Sequence, residues 1–244
     1  MKHSARIGRF AGVALLAMAG GCVTRPPTIA HVHIGHALTG VRVTPGEEGY
    51  LVTAERRARE TLDLAQKARV SGDLPEIKTD TAAAVHATVA EDDFGVKHAL
   101  TMAAHHITFA ATSEDASLNV QRAAPVFAGD IARVLERCEL IGLLGRDVAA
   151  SASVHDAQIS VEEIAKLADA NLNGEEANGD GVVGSVPQEY GLKQLRKELE
   201  DMVARESPRY VTVDQWYLFN LVRLPNGRWV FDKLGRGGNI DGYK

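Results

Sequence analysis

The chain has 244 residues, of which 45 % are hydrophobic, 24 % charged and 5 % aromatic. That balance is ordinary for a globular protein, and the abundance of Ala beside few aromatics points to helices packed through small side chains. There are 27 Lys and Arg against 32 Asp and Glu, a formal charge of −5, which argues against nucleic acid and against an electrostatic hold on anionic lipid.

The first element is a leader. Lys2, Arg6 and Arg9 precede an apolar run from Phe10 to Ala19, and Gly20, Gly21 and Cys22 follow. A charged stretch, a short apolar stretch and small residues make a signal peptide over 1–21. The run is too short to span a bilayer as a helix. Small residues directly before Cys22 resemble the lipobox of bacterial lipoproteins, with Ala19 standing where Leu is usual. The resemblance implies that Cys22 is the lipidated first residue of the mature protein, held to a membrane by its acyl chains. Val23 stands where Asp commonly favours inner-membrane retention, which implies the outer membrane, with the protein facing the periplasm. The other reading is an ordinary secretory peptide. With Cys22 acylated, only Cys138 remains, so no intramolecular disulfide forms. Cys138 falls at helical spacing with Ile131, Val134 and Ile141 and reads as a core residue.

Residues 22–30 read as a tether and 31–208 as a helical domain. Residues 31–44 alternate weakly and suggest a strand or an extended segment. After Pro45 and Gly46, Leu51, Ala54, Ala58, Leu62 and Ala65 recur at helical spacing, and Ser71-Gly72-Asp73 closes that helix. A second helical region spans Asp80 to Ala111, with a break or bend at Asp92 and Gly95. A third is expected from Pro125 to Leu144, stopped by Gly145, with a further helical piece over 146–154. Ser160 and Glu163 form a capping box for a short helix ending near Ala170. Leu192, Leu195, Leu199 and Met202 mark another helix over Glu189–Glu206. In 209–244 the character changes. Tyr210 to Val213 and Trp216 to Val222 are rich in β-branched and aromatic residues, and Asn226-Gly227 leads into Arg228 to Phe231. Asn-Gly between such runs predicts a hairpin, packed on the bundle because a lone hairpin is only marginally stable. The fold expected is mainly α, a helical bundle with a small C-terminal β-hairpin.

The stretch 169–184 is dense in Asp, Asn, Glu and Gly. Two overlapping registers in it resemble calcium loops of the EF-hand and dockerin kind. In the first, Asp169, Asn171 and Asn173 take positions 1, 3 and 5, Gly174 the sharp turn and Asp180 the last position, where Glu is usual. In the second, Glu176, Asn178 and Asp180 take positions 1, 3 and 5, with Pro187 at the last. The resemblance implies calcium binding and no activity. The alternative is a surface connector whose Asn and Asp side chains close Asx-turns.

Nine histidines are unevenly placed. His31, His33 and His36 form one cluster. On a strand, His31 and His33 point to one side, and His36 could return after Gly35. Imidazoles at that spacing can ligate zinc or copper. His98, Met102, His105 and His106 form a second cluster. There His98, Met102 and His105 share one helix face, flanked by Phe94 and Phe109 and about 160° from the aliphatic stripe. That face either packs under a neighbour or offers imidazole and thioether to a metal such as copper. If the first segment packs across this helix, the two clusters converge. No nucleophile elbow, phosphate loop, HExxH or paired-cysteine motif is present, so nothing points to catalysis. The function expected is an envelope lipoprotein that binds metal: calcium in the 169–180 loop and zinc or copper through histidines. The competing class is a non-catalytic scaffold that presents its helices and hairpin to a protein partner in the envelope.

Overall fold

A computed structural model describes residues 28–206, 221–223 and 229–231. The expected signal peptide, Cys22 and most of the expected tether lie outside the described residues, as does most of 209–244. Over 28–206 the chain is an all-α helical bundle. Its helices are α1 (Ile29–Leu38), α2 (Tyr50–Val70), α3 (Leu74–Val89), α4 (Val96–Thr112), α5 (Leu118–Asp130), α6 (Ala132–Ala150), α7 (Val154–Asn173) and α8 (Leu192–Ala204). Among them, none is long and apolar enough to cross a membrane.

Two apolar clusters hold the bundle together, and α2 runs through both. The first gathers α1, the N-terminal half of α2, α4, α5 and α8 around residues such as Leu51, Leu100, Ile107, Phe127 and Leu195. The second gathers the C-terminal half of α2 with α3, α6 and α7, and is built largely from small residues, among them Ala65, Ala68, Ala157 and Ala168. Leu62 borders both. Small side chains let helices approach closely. Gly145 shows it: a Cβ there would collide with Val85 of α3. The stop expected at Gly145 is therefore not made. The residue is a contact point inside α6, and the helix runs on to Ala150.

Other expectations need correction. Residues 29–38 are a helix, not an extended segment. Ala30, Ile34, Ala37 and Leu38 sit one and two turns apart and are buried. Thr28 caps the helix by accepting the His31 N–H at 3.1 Å. The break expected at Asp92 and Gly95 is there, and it divides the region 80–111 into two helices, α3 and α4, the first of which begins earlier, at Leu74. The helix expected to begin at Pro125 begins at Leu118, capped by Ser117, whose hydroxyl accepts the Val120 N–H at 3.1 Å. Pro125 lies past its first turn and lacks the N–H that would bond back to Gln121. The cap assigned to Ser160 belongs to Ser153, which accepts the Asp156 N–H at 3.1 Å. Ser160 is interior to α7. The helices placed by the stripes of α2 and α8 are where the sequence reading put them, with Leu192, Leu195, Leu199 and Met202 buried.

Of the C-terminal segment, only two backbone pieces are described. Leu221–Arg223 runs antiparallel to Trp229–Phe231, with Leu221 opposite Phe231. The expected packing of a hairpin on the bundle falls on residues outside those described.

Candidate metal centre

α1 lies across α4, and this crossing builds the site. Gly49 makes it compact, since a Cβ on that residue would strike the backbone of Leu38 and Thr39 at the end of α1. The next residue, Tyr50, stacks its ring on His106 of α4, with centroids 5.1 Å apart. From α1, His33 and His36 are three residues apart and share a face. That face meets His106. The Nδ1 atom of His106 lies 3.1 Å from Nδ1 of His33 and 3.3 Å from Nδ1 of His36. Phe109, one turn along α4, closes on His33 at 5.5 Å and on His106 at 5.9 Å.

Two arguments support the view that these three histidines could hold a metal ion. The first is spacing. A tetrahedral ion with metal–nitrogen bonds of about 2.05 Å holds its imidazole nitrogens about 3.3 Å apart. The second is proton supply. A neutral imidazole has one N–H and one lone pair, so His106 Nδ1 cannot make a full hydrogen bond to two facing nitrogens at once. One cation satisfies all three lone pairs together. The electrostatics agree. Burial lowers the pKa of His106 to about 4, helped by His36, His33 and His105. Burial also lowers that of His33, against an opposing pull from Asp115. Neutral imidazole is the form that binds metal.

The remaining predicted histidine ligands are elsewhere. His31 faces away from the triad, and its Nε2 lies 3.1 Å from Glu206 Oε2. The helical period separates it from His33, so the shared strand face expected for the two does not exist. His98 sits edge-on to Phe94, with centroids 5.1 Å apart. Met102 packs partly buried against the first cluster. His105 is exposed, 6.5 Å from Phe109. The convergence of the two histidine clusters is real, but it runs through His106 and not through His98 or His105. Reading 29–38 as a helix would have put His33 and His36 on one face without His31.

The acidic stretch divides at Gly174. Asp169, Asn171 and Asn173 are in α7, which corrects the first calcium register. Gly174 ends the helix with a φ of 83° that other residues rarely adopt. Asn171 is buried, and its Nδ2 donates to Cys138 Sγ at 3.5 Å. Asn173 Nδ2 donates to Asp169 Oδ1 at 2.7 Å. Cys138 is a core residue, its thiol pushed up to about 12 by burial.

Past Gly174, Glu176 and Asp180 come together with a residue the sequence reading left out, Glu189. These three carboxylates could hold an ion. Glu189 is fully buried, and it is also fully occupied. Oε1 accepts the N–H groups of Ala177 and Asn178, at 3.1 and 3.3 Å. Oε2 accepts those of Gly184 and Ser185, each at 2.9 Å, and the Ser185 hydroxyl at 3.2 Å. Burial opposes its ionisation, but these donors hold its pKa below the ordinary value. Glu176 accepts from the N–H groups of Gly179 and Asp180. Asn178 and Asp180 each close an Asx-turn, accepting from Asp180 N and Val182 N at 2.9 and 2.7 Å. These are the turns the connector reading expects.

No protein-family model matches the chain, and comparison with curated proteins and with solved structures gives no match.

Proposed function

We propose that this is a lipid-anchored protein of the bacterial cell envelope that binds a transition metal ion through His33, His36 and His106. The observation that carries the metal reading is the meeting of three ring nitrogens from two helices, 3.1 and 3.3 Å apart at His106. Three neutral imidazoles suit zinc and copper, and do not suit calcium, which takes oxygen. The lipid anchor rests on the lipobox-like sequence at Cys22. The placement in the outer membrane rests on Val23.

Calorimetric titration of the full chain with zinc and with copper tests the first part. The wild type is expected to bind one ion. His106→Ala removes one of three ligands and should weaken binding about a hundredfold or more. Equal binding by both proteins would move the protein to the scaffold reading. Cell fractionation tests the second part. Cys22→Ser should shift the protein from the membrane to the soluble periplasmic fraction, and a wild type already soluble would remove the anchor.

Calcium at Glu176, Asp180 and Glu189 is the weaker part of the metal reading. An ion there would compete with the backbone N–H groups for oxygens they already occupy.

A further inference from the structure

Helix α1 meets the bundle on two faces, and a histidine works on each. His33 and His36 turn to His106. His31 lies about 160° round the helix from His33 and turns to Glu206. His31 and Glu206 are both buried, with side chains 5 % and 2 % exposed. Glu206 does more than hold His31. Its Oε1 accepts the Ser117 hydroxyl and the Asn119 amide, each at 2.6 Å. Asn119 also donates to the Met202 carbonyl at 2.8 Å. One carboxylate thus joins the beginnings of α1 and α5 to the end of α8.

The start of α1 is held from a third direction. Asp115, in the link after α4, accepts the N–H of Ile29 at 2.6 Å and of Ala30 at 3.1 Å. A helix of ten residues is marginal alone, so such contacts, with the buried seam of Ile34, Ala37 and Leu38, decide whether α1 is seated.

We propose that a metal ion at His33, His36 and His106 fastens α1 to α4, and that this fastening is coupled, through the opposite face of α1, to the His31–Glu206 contact at the end of α8. The proposal rests on the metal reading above. The coupling follows from geometry. The ion can engage all three imidazoles only while α1 is seated, so it favours the seated state over any other. Seating α1 also brings His31 to Glu206. By linkage the effect is reciprocal: whatever weakens the Glu206 contact must weaken metal binding by the same factor that metal strengthens the contact. The metal site thereby governs how firmly the end of α8 is held.

Hydrogen exchange of the full chain, followed by mass spectrometry with and without zinc chloride, reads the seating directly. Zinc is expected to slow exchange about tenfold or more at 29–38 and at 200–206, with little change in α7. Glu206→Gln preserves shape and removes the charge, and it should lower zinc affinity about fivefold or more. His31→Leu removes the other partner and should do the same. Thermal melting followed by circular dichroism confirms that each variant is folded. Should one variant fail to fold, the other and the wild-type exchange pattern still decide. Wild-type zinc affinity in a folded variant, or no zinc-dependent protection at 200–206, would overturn the coupling and leave the metal site standing. A wild type that binds no zinc would overturn the metal site, and the coupling with it.

Discussion

The histidine crossing and the acidic loop both gather three metal-type ligands, yet they are built in opposite ways. At the crossing, three like groups point at one another and cannot satisfy each other with the protons they carry. In the loop, the carboxylates point at backbone N–H groups, and Glu189 alone takes five donors. The crossing joins two helices about seventy residues apart in sequence, and the loop folds on itself within about fifteen. The difference is instructive. Ligand residues at short range are the better candidate for an ion where they face one another than where each already faces backbone N–H groups. A carboxylate that already accepts several backbone N–H groups has less to offer an ion, however acidic its surroundings.

The largest expected effect separates the two by metal. A ligand that binds only the native state adds about 2.7 kcal/mol at a hundredfold excess over its Kd. For a domain of this size that raises the Tm by about 5–10 °C. Zinc should do this, and a chelator should reverse it. Calcium should not shift the Tm. A calcium-driven rise that survives in His106→Ala and disappears in Asp180→Ala would reverse the assignment, making the loop the site.

The next effect probes the loop as a structural element. Glu189→Gln places an amide N–H₂ where one oxygen accepts backbone donors, so buried N–H groups lose their partners. A cost of about 2 kcal/mol is expected from urea unfolding. Asp169→Ala should cost no more than about 0.5 kcal/mol, because Asp169 is an exposed helical residue whose side chain accepts from Asn173 one turn along the same helix. If the order were reversed, Asp169 would be holding the loop and Glu189 would not.

Much of this fold was legible, and the illegible parts have physical causes. The stripes of α2 and α8 and the burial of Cys138 followed from spacing alone, since a long amphipathic pattern fits only one period. α1 was misread because a ten-residue segment fits two. Its histidines alternate like a strand, while Ala30, Ile34, Ala37 and Leu38 repeat like a helix. Asn173-Gly174 was misread because Asn and Gly serve equally in a calcium loop and at a helix end. His33 and His36 were singled out, and His106 was counted in the second cluster but left off the face that His98, Met102 and His105 share. His106 is selected by how α1 lies on α4, and that angle is set by contacts such as Gly49 against Leu38, which no local pattern contains. Glu189 read as the first turn of a helix. Its role comes from the backbone it faces.

The smallest expected effect is on stability against pH, and it sharpens the contrast because the two regions titrate in different windows. In the metal-free protein, His33 and His106 have pKa values lowered by burial, that of His106 to about 4. A histidine whose folded pKa is depressed contributes stability that is full above its unfolded value of about 6.5 and is lost as pH falls from there towards the folded value. For Glu189 the folded pKa is also depressed, but the group is a carboxylate. Its contribution is full above about 4.5 and is lost only as pH falls through the lower folded value. The crossing should therefore weaken first, between about pH 6.5 and 4, while the loop holds. Solvent reaches half-buried imidazoles, which keeps the effect modest. Urea midpoints of the chelator-treated protein at pH 7.5 and 5.0 measure it. The wild type should lose stability over that interval. His106→Phe keeps a ring to stack on Tyr50 but cannot take a proton, so it should lose less. If both proteins lose the same stability, the pH dependence lies outside the crossing, and His106 is not the half-buried neutral imidazole that its surroundings indicate.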